Sequence, residues 1–563
     1  MKDLIRKTIR EVLEKLYPEH KDIVFDVDFP PAGVDADFAS NVAMVLAKKL
    51  GKKPMEVAEK IRDLLFVSPP HEEGKGEVIV DIAPPGFLNF KLPSSVWQKE
   101  LAKILKEGKK YGTSKINKGK KARVEYVSAN PTGPVHIGNV RGGPYGKVIC
   151  NALEATGWKV LREYYHNDVG GQVEKLGKTI WYWYEKLRGK ETEFPEGGYP
   201  GEYPKEAAEE AVKKLGSKFA PSDQAKLTNF ALEYIFKENI ETLKRLGIEF
   251  DQIISESKLQ KSGKTAKAIE EIKKKGFAQE KEGALWFAHP LLNLPLTPPI
   301  RRAGKGEKEG GSDREAVIVK SNGQPTYFAS DIAYHKEKFT SGYNLVMDIF
   351  GSNHHGHVPK LQALTKIYGF DTEKFKVLLY QYVRVKRGQE VVKMAKRAGN
   401  FITAKEVLDE VGKDSMIFML LMTAVNTHVD FDLELAKDTS EKNPVFRVQY
   451  AHARIESVER KAESVKIGKT NLALLAEREE LALIRELAKF PEMVADIAET
   501  YNVHHLPHYL LGLADKFHQF YEKVRVITDN EEETAAKLAL VRAVQQVLAN
   551  GLQLMGIKPM EKM

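Results

Sequence analysis

A strand-like run from Ala122 to Val127 leads directly into Ser128-Ala129-Asn130-Pro131-Thr132-Gly133-Pro134-Val135-His136-Ile137-Gly138-Asn139, which opens a helix. Strand, tight turn and helix in that order are the first half of a parallel-sheet unit, so this segment restricts the fold more than any other. Pro131 and Gly133 suit the turn, and Pro144 is tolerated so early in the helix beyond it. A helix N-terminus offers free backbone N–H groups and the positive end of a dipole, which favours phosphate. His136 is placed to donate a hydrogen bond to such a phosphate, and Gly138 lets a nucleotide approach the backbone. Far along the chain stands a basic loop, Lys393-Met394-Ala395-Lys396-Arg397-Ala398-Gly399-Asn400. Two lysines there can cover the same phosphates and stabilise charge that builds during transfer. Taken singly, each segment reads equally as a Gly/Pro-rich turn or a solvated basic loop; their joint presence favours chemistry.

At 563 residues the chain needs several cores. Strand and helix alternate from about 121 to 385, with strand-like runs at Lys159–Tyr165, Leu345–Gly351 and Val377–Tyr380. The segment before is a separate α/β module, with Leu4, Ile5, Ile9, Val12 and Leu13 at helical spacing and a strand at Val78–Ile82. A lysine- and glycine-rich linker, Gly108 to Lys121, separates the two. Strand signals stop near 435, and the remainder reads as helix. The expected fold is α/β: a Rossmann-like parallel-sheet domain flanked by an N-terminal α/β domain and a C-terminal all-α helical bundle.

The single cysteine, Cys150, excludes an internal disulfide and a Cys-based zinc knuckle, and suits a reducing compartment. The N-terminus lacks the apolar core of a signal peptide, and no apolar run is long enough to span a membrane. A net charge of +9 suits a polyanionic partner. His354, His355 and His357 come after the Leu345–Gly351 strand without an adjacent carboxylate cluster, so contact with substrate or ATP is the stronger reading than metal. His504, His505 and His508 read as an ordinary helix entry.

The two distant segments resemble the HIGH and KMSKS signatures of class I aminoacyl-tRNA synthetases, with Asn139 in place of the second histidine and Ala395 in place of the serine. Val124-Glu125-Tyr126-Val127-Ser128-Ala129-Asn130-Pro131-Thr132-Gly133-Pro134, Asn167-Asp168-Val169-Gly170-Gly171-Gln172 and Tyr327-Phe328-Ala329-Ser330-Asp331-Ile332-Ala333-Tyr334 resemble the arginyl-tRNA synthetase branch. Asp35 to Ala43 and Pro84 to Phe90 resemble that family's additional N-terminal domain, and Asn443 to Ile455 the entry to its anticodon-binding bundle.

The resemblance implies four regions: 1–112, an additional domain contacting the tRNA elbow; 120–385, the catalytic domain, with an insertion at about 188–300; 386–434, carrying the KMSKS loop and a stem contact; and 435–563, the anticodon-binding bundle. It implies catalysis by His136, Asn139, Lys393 and Lys396, and an ATP site formed by Pro131, His136, Gly138, Asn139, His354, Met394 and Lys396. Arginine would be held by Glu125, Ser128, Asn130, His136, Gln172, Tyr327 and Asp331. Carboxylates in a pocket are costly without a cation, and a planar guanidinium accepts a bidentate carboxylate on each side. For tRNA(Arg) the implied contacts are Asn41, Arg447, Gln449, Tyr450, Arg454 and Met563. An aromatic between two arginines suits base stacking and phosphate contact.

The reaction implied is activation of L-arginine with ATP and Mg²⁺, then transfer to the 3′ end of tRNA(Arg), in a cytoplasmic monomer with no protein-held metal and no membrane. Relatives generally need tRNA even for activation, so pyrophosphate exchange is expected only with tRNA present. Another class I synthetase, or a non-catalytic tRNA-binding paralogue, is the alternative; arginine-dependent exchange separates them.

Overall fold

The computed structural model describes the chain apart from residues 32, 68–77, 217, 291–315, 393–401, 463–469 and 563. At its centre is a parallel sheet of β1 (Lys121–Tyr126), β2 (Lys159–His166), β3 (Gln252–Ser255), β4 (Leu345–Gly351) and β5 (Phe375–Tyr380). The spatial order is β5-β4-β1-β2-β3. Strand order therefore reverses at β1, and a crevice opens at the carboxyl ends of β1 and β4, where open parallel sheets bind ligands.

Both faces of the sheet are covered, so Arg123, Glu125 and Glu163 are buried on its strands along with the apolar side chains. Val124, Met347 and Ile349 pack into the larger core, whereas Val346 and Phe375 pack with Phe328 and Ile332 in a second one. The helix Gly142–Ala155 lies close against β1: a Cβ at Gly146 would stand 2.3 Å from the Tyr126 ring. Only glycine allows that approach.

The segment expected as one insertion at 188–300 is interrupted. Gln252–Ser255 falls inside it and pairs with β2 from Glu163↔Gln252 to His166↔Ser255, completing the sheet. Four residues between lysine-rich helices carry too little periodicity to be read as a strand. Before it, helices Gly171–Leu187, Tyr203–Leu215 and Gln224–Arg245 enclose their own core around Leu176, Ile180, Ala207 and Leu227. After it, Ala278–Lys281, Ala284–Phe287 and Ala316–Val319 form an antiparallel sheet.

The N-terminal module holds an antiparallel sheet, in the order Val27–Asp28, Phe38–Ser40, Phe87–Lys91, Ile79–Ala83. It meets the C-terminal helices through Arg485 Nε to Asp37 Oδ1 at 2.5 Å, and Gln98 Nε2 donates to Leu475 O at 3.0 Å. Between catalytic sheet and bundle, Val383–Arg387 runs parallel to Val429–Asp432 and antiparallel to Glu390–Val391. Among the described residues no helix is long and apolar enough to cross a membrane.

Candidate active site

The chain leaves β1 under strain. Val127 and Ser128 have φ of 71° and 39°, a region L-residues rarely occupy and one that needs compensating contacts. Ser128 Oγ accepts the Tyr165 N–H at 3.0 Å, and the Tyr164 hydroxyl donates to Ala129 O at 2.7 Å, so β2 holds the turn. Buried Asn239 brackets the stretch from Gly133 to Val135, accepting the Val135 N–H at 2.9 Å and donating to Gly133 O at 3.0 Å. Asn130, exposed beyond the turn, donates to Gln172 Oε1 at 3.0 Å. Two residues expected to share a substrate thus meet, although 42 positions separate them.

His136 caps the short helix Ile137–Val140, and its Nδ1 accepts the Asn139 N–H at 3.3 Å. A Cβ at Gly138 would stand 3.0 Å from this imidazole. Glycine is therefore needed there to seat His136, a reason beyond close approach of a nucleotide. The backbone of His136 also bridges to Thr403, and the Ala404 N–H donates to Val135 O at 2.8 Å. Lys393, Met394 and Lys396 lie outside the described residues. The chain just beyond them is nevertheless stitched to the first signature.

Sequence reasoning missed Arg141, which is wholly buried. It forms no ion pair among the described residues; its guanidinium donates to Gln381 O and Thr427 O at 2.7 Å and Ala424 O at 2.8 Å. One fork thus locks the end of β5 and the start of Val429–Asp432 to the signature helix. Tyr380 adds a hydroxyl donation to Asn139 O at 3.3 Å.

The acidic side of the crevice has two layers. In the lower one Glu125 is buried, and its Oε2 accepts from Lys338 Nζ at 2.5 Å and the Tyr334 hydroxyl at 2.9 Å. Lys338 also donates to Asp348 Oδ1 at 2.6 Å, and His335 Nε2 meets Asp348 Oδ2 at 2.9 Å. Arg123 pairs with Glu163 beside them, and Tyr334 bonds Glu163 as well. Glu125, expected to face a guanidinium, is thus already matched by a lysine.

In the upper layer are carboxylates with no Lys or Arg paired to them among the described residues. Asp331 stands one turn from exposed Tyr327 on the helix Tyr327–Thr340. Burial lifts its carboxyl to about 6 despite His335, and Glu125 adds to the rise. His357 Nδ1 is 3.9 Å from Asp331 Oδ2, and its Nε2 is 3.2 Å from the Tyr327 hydroxyl. Burial lowers His357 to about 4, so it is neutral near pH 7 and supplies no positive charge. Glu256 is a second residue that sequence reasoning missed. Burial and Asp331 push it up to about 7, and it forms no ion pair among the described residues. Asp168 places it: its carboxylate accepts from Ser255 Oγ at 2.8 Å and from the Ser257 N–H at 2.7 Å, fixing the turn after β3. The only sequence signal was Asp168 itself, in the Asn167–Gln172 segment. His354 is exposed at the end of β4, with its ring 5.3 Å from Phe350.

The expected tRNA contacts divide. Tyr450 lies under Arg454 at 5.7 Å, stacks on His518 at 5.8 Å and on Phe446 at 6.2 Å, and Arg454 also covers Tyr521 at 4.6 Å. Arg447 is paired with Asp515 through Nε at 2.7 Å. Gln449 is turned inward, buried and donating to Asp414 Oδ2 at 3.0 Å. Asn41 exchanges hydrogen bonds with Asp26 at 2.8 Å. Met563 lies outside the described residues.

No group of three or more His, Cys, Asp or Glu side chains among the described residues converges to hold a metal ion.

Three family models match the chain. One described as an arginyl tRNA synthetase N-terminal domain covers residues 3–92, one as the class I (R) tRNA synthetase catalytic domain 100–427, and one as a DALR anticodon-binding domain 448–563. The arginine–tRNA ligase of Caldanaerobacter subterraneus is 39% identical over all of this chain and 98% of that one. That of Citrifermentans bemidjiense is 40% identical over 96% and 95%. Among solved structures, Thermus thermophilus arginyl-tRNA synthetase superposes with a TM-score of 0.75 at 21% identity, covering 100% of both chains. The Plasmodium falciparum enzyme gives 0.72 at 18%, covering 100% of this chain and 99% of that one.

Proposed function

Since the chain belongs to the arginyl-tRNA synthetase family, we propose that the carboxyl edge of its parallel sheet carries both steps of the arginine–tRNA ligase reaction. The enzyme is a class I aminoacyl-tRNA synthetase acting on arginine and tRNA. ATP is the activating substrate, as the class requires. In the first step the arginine carboxylate attacks the α-phosphorus of ATP and expels pyrophosphate. In the second, a terminal ribose hydroxyl of tRNA(Arg) attacks the activated carbonyl and releases AMP. No protein nucleophile is needed, so the residues act by position and charge.

Pro131, Gly138, Asn139, His354 and Met394 border the nucleotide in this reading. His136, with Asn139, meets the phosphates at the helix N-terminus, and Lys396, supported by Lys393, meets the leaving pyrophosphate. Thr403 bridged to His136 supports a closed arrangement of these groups. Mg²⁺ would enter with the ATP phosphates and neutralise part of their charge. Ser128, Asn130 and Gln172 hold the amino-acid end of arginine.

The observation that carries the arginine assignment is the pair Asp331 and Glu256, raised to about 6 and about 7 by burial with no Lys or Arg paired to them among the described residues. A guanidinium beneath Tyr327 supplies the missing charge, while Glu125 contributes from its lysine-paired position below. The bundle around Tyr450 and Arg454 takes the anticodon, and the N-terminal module the tRNA elbow. The working form is a cytoplasmic monomer, checked by light scattering of the purified chain. Pyrophosphate exchange with tRNA(Arg) present is the test of function: arginine drives it and Lys396→Ala abolishes it. Robust exchange with another amino acid overturns the assignment.

A further inference from the structure

Tyr382 and His428 are the residues immediately before two parallel strands, Val383–Arg387 and Val429–Asp432, whose first pair is Val383↔Val429. Their rings lie 3.9 Å apart, centroid to centroid, at 36°. Both are exposed, Tyr382 by 56%, an unusual state for a large aromatic. Val383 and Val429, next in each strand, are buried, so alternation turns Tyr382 and His428 to the outer face.

Three features fix this pair with respect to the reaction site. Gln381, next to Tyr382, and Thr427, next to His428, give their carbonyls to the two bonds from Arg141 Nη1 at 2.7 Å. Arg141 itself ends the short helix capped by His136. Two residues before Tyr382, the Tyr380 hydroxyl reaches Asn139 O at 3.3 Å. The stack is thus held by a buried guanidinium at the carboxyl edge of the sheet, one element from the phosphate-facing signature.

Two cations stand on the strand that follows Tyr382. Arg384 and Lys386, on the same face of the strand, share the carboxylate of Asp430, Arg384 at 2.6 Å and Lys386 at 2.5 Å. Asp432, opposite Lys386, accepts instead from the Gly388, Glu434 and Leu435 N–H groups. An exposed π-face with an arginine and a lysine beside it fits an unpaired nucleotide, base on the ring and phosphate on a cation.

We propose that Tyr382, backed by His428, is the stacking platform for an unpaired base at the 3′ end of the tRNA. This rests on the tRNA ligase assignment and deepens it. The base stacks on the open face of Tyr382, and Arg384, released in part from Asp430, meets the adjoining phosphate. Arg141 transmits the position of the platform to the signature helix, so that the terminal ribose comes to the activated carbonyl at a fixed height.

The test compares tRNA(Arg) with the same tRNA trimmed of its 3′-terminal unpaired nucleotides, on wild type, Tyr382→Ala, Tyr382→Phe and His428→Ala. Base–aromatic stacking predicts that Tyr382→Ala weakens binding of intact tRNA by about 5- to 100-fold. The trimmed tRNA should bind wild type and Tyr382→Ala alike, Tyr382→Phe should match wild type, and His428→Ala should show a smaller loss of the same kind. The KM for ATP should not change. Equal losses on intact and trimmed tRNA mean that the substitution disturbs the fold, and they overturn the proposal. A rise in KM for ATP with unchanged tRNA binding moves the platform to the adenine of ATP and overturns it too, as does unaltered binding of both tRNAs. Failure of even wild type to bind trimmed tRNA would count against the anticodon-bundle assignment instead.

Discussion

Lys338 Nζ, wholly buried, donates to Glu125 Oε2 at 2.5 Å and to Asp348 Oδ1 at 2.6 Å. Burial alone would favour a neutral amine, but the surrounding carboxylates hold its pKa above the ordinary value. Lys338→Met leaves Glu125 and Asp348 buried without this cation, which costs on the order of 3–5 kcal/mol. Urea unfolding of the variant at neutral pH should show that loss. A change below about 1 kcal/mol would mean the network reorganises at little cost.

Asp331 is the opposite case, a carboxylate raised to about 6 by burial, which the proposed arginine would relieve. Its side chain is 20% exposed, and its nearest imidazole, His357, is neutral near pH 7. Asp331→Asn should raise the KM for arginine by roughly a hundred-fold, the scale of losing one partner of a desolvated charge pair. The same variant should be more stable than wild type without arginine, by on the order of 2 kcal/mol at pH 8. Steady-state kinetics with thermal unfolding reads both. A stability loss alongside the KM effect would identify Asp331 as a structural residue.

Asp331 and Glu256 have folded pKa values of about 6 and about 7, above the ordinary carboxyl range. For both, the folded state binds more protons than the unfolded state between about pH 4 and their raised values, so their contribution destabilises as pH rises through that window. Arginine needs the ionised forms, and its guanidinium stays charged throughout. The kcat/KM for arginine should therefore fall as pH drops below about 7, and more steeply below about 6. Glu256→Gln should remove the upper limb and leave the lower. An unchanged profile in Glu256→Gln would exclude Glu256 from the arginine pocket.

Much of this site was legible in the sequence because its parts are local. The strand-like run, the Gly/Pro turn and the helix start lie in one continuous segment, and β1 and the helix after it formed there. Asn130 and Gln172 were singled out and do meet, at 3.0 Å. What escaped depends on distance in the chain. Glu125 looked like a free carboxylate because its partner, Lys338, is 213 residues away. Gln252–Ser255 was hidden among lysine-rich helices, and with it went Glu256 at its end. Gln449 shared a helix with Tyr450 and Arg454, but its turn of that helix faces the interior. Arg141 gave no signal, since its partners are backbone carbonyls, which no side-chain pattern reveals.

Gly138 has a second task in the structure beside the expected one of admitting a nucleotide. A Cβ there would stand 3.0 Å from both Nδ1 and Cε1 of His136, tighter than ordinary contact. The Cβ would press on the imidazole, whose Nδ1 accepts the Asn139 N–H at a long 3.3 Å. Gly138→Ala should therefore turn His136 away from the helix N-terminus and leave the surrounding packing intact. Displacement of a catalytic group by about 1 Å can cost about 100-fold in rate. We expect kcat for aminoacylation to fall by roughly that factor, with the melting temperature nearly unchanged. The KM for arginine should hold, because Asp331 and Glu256 stand on other elements. His136→Ala combined with Gly138→Ala should be no slower than His136→Ala alone, since both act through one side chain. If the double variant is slower by the full product of the single effects, Gly138 acts on the nucleotide directly and not by seating His136.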